Sequence, residues 1–89
     1  MRKSVEIFAK KMEAKLKTKD DEHGETGWLS HDCNVRFLFN RMKQEFNELD
    51  SAFADCNMEG LEDECVDVAN FAMMISDRIR GRVEALSRK

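Results

Sequence analysis

The segment Val35-Arg-Phe-Leu-Phe-Asn-Arg-Met-Lys-Gln-Glu-Phe-Asn-Glu-Leu-Asp-Ser-Ala-Phe53 carries apolar side chains at Val35, Leu38, Phe39, Met42, Phe46, Leu49 and Phe53. Their offsets of 0, 3, 4, 7, 11, 14 and 18 are those of a helix that buries one face and solvates the other. Ser30 or Asp32 can serve as its N-cap, because a short oxygen-bearing side chain satisfies an amide that the first turn leaves unpaired.

Reading outward, Val5, Phe8, Met12 and Leu16 recur at the same period and predict a first helix from about Ser4 to Lys17. The segment 18–29 loses that period, gathers Asp20, Asp21 and Glu22, contains Gly24 and Gly27, and reads as a loop closed by Trp28. On the other side, Ala54 to Gly60 reads as a turn. Leu61, Cys65, Val68, Ala72, Ile75, Ile79 and Val83 then form a stripe that can continue to Leu86, with Gly81 a place where it frays. The expectation is an all-α single domain over residues 1–89, with no internal repeat or linker. Its apolar faces are wider than three helices cover alone, which favours a bundle completed by oligomerisation over a three-helix monomer.

Composition narrows the function classes. The chain has 89 residues, 42% hydrophobic and 37% charged, with no apolar run near the roughly 18 residues of a membrane span. Met1-Arg2-Lys3 leads into an amphipathic stretch and not a signal-peptide core, so a cytoplasmic location with no membrane partner is expected. The net charge of −3, with both signs interspersed, provides no basic stripe for duplex nucleic acid. Cys33, Cys56 and Cys65 are odd in number and lack the spacing of a zinc site, so they read as reduced thiols.

The acids are more informative. Glu45 and Glu48 on the second helix, and Glu64 and Asp67 on the third, form two pairs at i, i+3 spacing. At roughly 100° per residue, Glu45 and Glu64 each fall about 65–75° from the centre of their apolar stripes, on the border of the core. Their partners lie about 60° further toward solvent. Antiparallel packing would bring the four together, and converging carboxylates that lose hydration need protons or a cation. An all-oxygen set without paired histidines suits Mg²⁺. The alternative is two solvated helix flanks whose acids pair with neighbours such as Arg41 and Lys43.

The arrangement Glu45-x-x-Glu48, fifteen intervening residues, then Glu64-x-x-Asp67 resembles the signature of MazG-like all-α nucleoside triphosphate pyrophosphohydrolases. The run from Glu64 through Asn70 to Ile75, together with Phe8, Met12, Leu16 and Gly27-Trp28, is similar to small phage and bacterial members. The likeness covers about residues 8–78. It implies a homodimer or homotetramer that binds Mg²⁺ and cleaves a (d)NTP substrate to (d)NMP and pyrophosphate. Glu45, Glu48, Glu64 and Asp67 would be metal ligands, Glu45 or Glu48 would double as the base, and Asn70 would contact the nucleotide. Gln44 stands where the family usually has a further glutamate, which leaves a catalytically weak nucleotide-sensing or protein-interaction module as the alternative.

Smaller assignments complete the reading. Trp28 either anchors the loop on the helices or stacks on a base. Arg78 contacts phosphate or another subunit, or forms a surface ion pair. Lys15, Lys17 and Lys19 touch phosphates or form a solvated face. His23 and His31 are too isolated for a catalytic pair.

Overall fold

A computed structural model describes residues 1–30 and 33–87, with residues 82–87 as backbone only. Four helices, α1 (Lys3–Lys17), α2 (Asp20–His23), α3 (Val35–Ala54) and α4 (Met58–Ser87), are joined by short connections, with a 3₁₀ turn at Gly27–Leu29. There is no strand among the described residues. None of their helices is long and apolar enough to cross a membrane.

The helix ends follow from local chemistry. Asn34 caps α3, its side chain accepting the Phe37 N–H at 2.8 Å. It takes the place expected for Ser30, which instead follows the 3₁₀ turn; Asp32 lies outside the described residues. At the far end of α3, the Cys56 N–H reaches the Phe53 carbonyl and the Asn57 N–H reaches the Ala52 carbonyl, the paired bonds of a Schellman ending. Cys56 therefore sits at φ 56°, a left-handed conformation that costs a side-chain-bearing residue energy and that glycine adopts freely. Cys56→Gly should raise stability by roughly 0.5 kcal/mol, seen as a higher urea midpoint at unchanged slope.

Two expectations shift. The turn is shorter than Ala54–Gly60, because Asn57 accepts the Gly60 N–H at 3.1 Å and so starts α4 at Met58. Gly60 is thus helical, and any side chain there would collide with the Asn57 amide. The expected loop 18–29 contains one turn of helix, since Asp20, Asp21 and Glu22 suit the positive end of a helix, and Gly24 at φ 73° ends it.

The helices α3 and α4 run antiparallel, with Glu45 near Glu64 and Arg41 near Phe71. Both α1 and the 3₁₀ turn lie against α4. The core is thin. Leu38 and Val66 are its buried apolar members, and the polar Glu45 and Asn70 are buried beside them. The fully buried positions of α4 are Val66 and Asn70; of the predicted stripe, Leu61, Val68 and Ile75 are half-buried, Cys65, Ala72 and Ile79 are exposed, and the Val83 side chain lies outside those described. The reason is that α4 is packed from two sides and α1 covers the more polar one: Asn70 Nδ2 donates to the Met12 carbonyl, and Lys11 pairs with Glu62.

Candidate metal and substrate site

Three carboxylates meet between α3 and α4. One oxygen each of Glu45, Glu48 and Glu64 lies within 4.8 Å of the others. The helical positions explain this: Glu45 is only 8% exposed, Glu64 is half-buried across from it, and Glu48 is one turn further toward solvent. Glu64 Oε2 is buried and, with the carboxyls ionised, has no hydrogen-bond partner among the described residues. A buried oxygen left in that state costs free energy that a ligand can recover.

The electrostatics match the crowding. Burial, followed by donation to the Glu48 and Glu64 carboxylates and repulsion from Glu48 and Asp67, pushes Glu45 up to about 7. Glu64 is also raised, chiefly by burial and by repulsion from Glu48 and Asp67, although a hydrogen bond from Glu45 lowers it in part. The crowded Glu45 and Glu64 carboxyls therefore hold a proton more readily than free glutamates do. Arg41 approaches it at 3.3 Å, bonds Gln44, and lies 5.5 Å from the centre of the Phe71 ring.

Asp67 joins a different trio. Its oxygens cluster with those of Asp63 and Glu64, so Glu64 links the two groups. Lys15 from α1 sits on Asp63 and Asp67, with Nζ at 3.0 Å from Asp63 Oδ2 and 3.0 and 3.1 Å from the two Asp67 oxygens. Burial would lower the Lys15 ammonium, but its bonds to both aspartates and their attraction outweigh that and raise it.

Beside these acids opens a cleft of about 820 Å³, within the size range of small-molecule sites. Glu45, Asp67, Asn70, Trp28 and the cations Lys15, Lys19 and Arg41 all line it. Asn70 Oδ1 is buried without a hydrogen-bond partner among the described residues. Trp28 both anchors and lines: its Nε1–H donates to Asp77 Oδ2 at 2.9 Å while the residue forms part of the cleft wall. Arg78 is engaged elsewhere. Its Nη1 donates to the Trp28 and Ser30 carbonyls at 2.8 and 2.9 Å, holding the loop on α4, and it is not among the cleft-lining residues. His23 is exposed on α2, and His31 lies outside the described residues.

Sequence reasoning missed Asp63 and Asp77. The spacing of Asp63 one helical turn before Asp67 was a usable signal for the first. The need of a partly buried indole N–H for an acceptor was one for the second. The donor set fits a hard divalent cation, since it offers oxygens alone and includes one buried oxygen, Glu64 Oε2, with no hydrogen-bond partner among the described residues when the carboxyls are ionised. Comparison with protein-family models, with curated proteins and with solved structures finds no match to this chain.

Proposed function

We propose that this chain is a Mg²⁺-dependent nucleoside triphosphate pyrophosphohydrolase of the MazG-like kind, splitting a (d)NTP into (d)NMP and pyrophosphate. The observation that carries the reading is the convergence of Glu45, Glu48 and Glu64, of which Glu45 also lines a cleft that holds three cations together with Asp20, Glu22 and Asp67. Acids alone would suit many surfaces. Acids beside Lys15, Lys19 and Arg41 suit a ligand that combines a metal with polyphosphate.

Each residue then has a task. Glu45, Glu48, Glu64 and Asp67 would hold Mg²⁺, which when bound supplies charge neutralisation on the phosphate oxygens. Glu45 or Glu48 would take the proton of the attacking water, and Glu45 is the one of the two that lines the cleft. Arg41 holds Glu45 in place through its guanidinium. Asn70 offers Oδ1 to a hydroxyl or amino group of the nucleoside, and Trp28 offers apolar surface to the base. The test is pyrophosphate release from a nucleotide panel with and without Mg²⁺. No release from any nucleotide removes the enzymatic reading, and Mg²⁺-dependent nucleotide binding without release favours the sensing alternative, for which Gln44, bonded by Arg41, is the motive.

The same reading includes a second copy of the chain. Phe39, Phe46 and Phe53 on α3 are exposed at intervals of seven, as are Cys65, Ala72 and Ile79 on α4. Two adjacent antiparallel helices with uncovered seven-residue stripes are the half of a four-helix bundle. Phe46→Glu should convert the assembly to monomer at micromolar concentration in light scattering, since a charge would be buried in an apolar seam. A parent protein that is itself monomeric refutes this part.

A further inference from the structure

On either reading of the site Asp67 is a cation ligand, yet both of its oxygens are taken by the Lys15 ammonium at 3.0 and 3.1 Å. A divalent ion and the ammonium cannot occupy the same oxygens. Lys15 also differs from the other lysines of α1 that form ion pairs. Lys10 and Lys11 are 77% and 46% exposed and each pairs with one glutamate, whereas Lys15 is 33% exposed and bridges two aspartates. Exposed single pairs contribute little, but a bridging ammonium neutralises charge the acidic trio would otherwise leave bare. A second observation points to a ligand on this wall: one turn beyond Asp67, Asn70 is 5% exposed and its Oδ1 has no partner among the described residues. Lys15 itself lines the cleft, so an ammonium leaving Asp67 stays within it.

We propose that Lys15 is an exchangeable internal counter-ion: it occupies Asp63 and Asp67 until a divalent cation displaces it, and the released ammonium then binds the polyphosphate of the incoming ligand. Cation and polyphosphate thereby favour each other's binding, each by the same factor. Lys15 acts on the cation as a positioning residue, through Asp67, and on the phosphates directly as a compact point charge on a flexible arm. The inference rests on the proposed metal and polyphosphate site, and it goes beyond that site by giving the empty state an internal counter-ion.

The experiment uses the full chain, Mn²⁺ alone, and inorganic tripolyphosphate in excess Mg²⁺. In the parent protein, acetylation of Lys15 followed by mass spectrometry should be slow without cation, several-fold faster at saturating Mn²⁺, and slow again when tripolyphosphate is added with Mg²⁺. Lys15→Met should bind Mn²⁺ about 10-fold tighter, from loss of the competing ammonium, and Mg²⁺-tripolyphosphate about 10-fold more weakly. A Lys15 labelling rate indifferent to Mn²⁺, or Mn²⁺ affinity unchanged or reduced in Lys15→Met, overturns the proposal; the labelling arm needs no variant to fold. If these shifts occur but no nucleotide is hydrolysed, the exchange stands and the hydrolase reading falls. If the parent binds no Mn²⁺ at millimolar concentration, both fall.

Discussion

Glu64→Gln is expected to reduce pyrophosphate release at least 100-fold while leaving the chain folded. Glu64 is the one carboxylate common to both acidic trios, joining Glu45 and Glu48 on α3 to Asp63 and Asp67 on α4. The substitution removes the charge and replaces one of the two carboxylate oxygens with an amide nitrogen that cannot ligate a cation. Loss of one preorganised electrostatic group typically costs a factor of about 10² to 10³ in turnover. The amide is close to isosteric and relieves repulsion at a site where burial already disfavours the charge, so the melting temperature of the cation-free protein should hold or rise. In the parent, millimolar Mg²⁺ should raise the melting temperature by binding the native state alone, and in Glu64→Gln that increment should vanish. Glu62→Gln is the matched control. Glu62 is more than half exposed and pairs with Lys11 outside both trios, so turnover should change less than about twofold. Equal turnover in Glu64→Gln and the parent would detach the carboxylates from the reaction.

What could be read in advance divides along the range of the interactions. Helices α1 and α3 were legible within a few residues, because a 3.6-residue repeat such as Val35–Leu38–Met42–Leu49 is local. The border positions of Glu45 and Glu64 were equally legible, since their angles from the apolar stripe need only helix geometry and antiparallel packing. The start of α4 was not, because Gly60 alone reads as a breaker and Asn57 overrides it with a cap. Nor was the inward face of α4. Val66 and Asn70 turn inward because α1 crosses that side, and the contacts that place it join residues about fifty positions apart, Lys15 to Asp67 and Met12 to Asn70. The same long-range contact explains why Asp67, equivalent to Glu48 by spacing, is capped by an ammonium while Glu48 faces the other glutamates.

The second large effect is a dependence of stability on pH that Glu45→Gln should reduce. Glu45 titrates near 4.5 when unperturbed and at about 7 in the folded chain, so between those values the native state binds more protons than the unfolded state. Stability contributed by the protonated group is present in full below about pH 4.5 and is lost as pH rises through about 7. The groups around it agree in sign: Glu48 on its own helix and Glu64 and Asp67 on α4 all oppose its ionisation, and Arg41 is the cation that moderates it. A displacement of this size corresponds to about 3 kcal/mol at pH 7.5. In a domain of this length that is a fall in melting temperature of roughly 10 °C or more between pH 5 and pH 7.5, measured without divalent cation. Glu45→Gln cannot ionise, so its curve should fall less steeply than the parent's over the interval, with Glu64 supplying the remaining dependence, and should cross above the parent near neutrality. Mg²⁺ should act in the opposite sense on the parent, raising the melting temperature more at pH 7.5 than at pH 5.5, because a cation competes with the proton that Glu45 holds. A parent protein whose melting temperature ignores both pH and Mg²⁺ has carboxylates that do not meet, and the antiparallel pairing of α3 and α4 at Glu45 and Glu64 would then be wrong at the point on which the site depends.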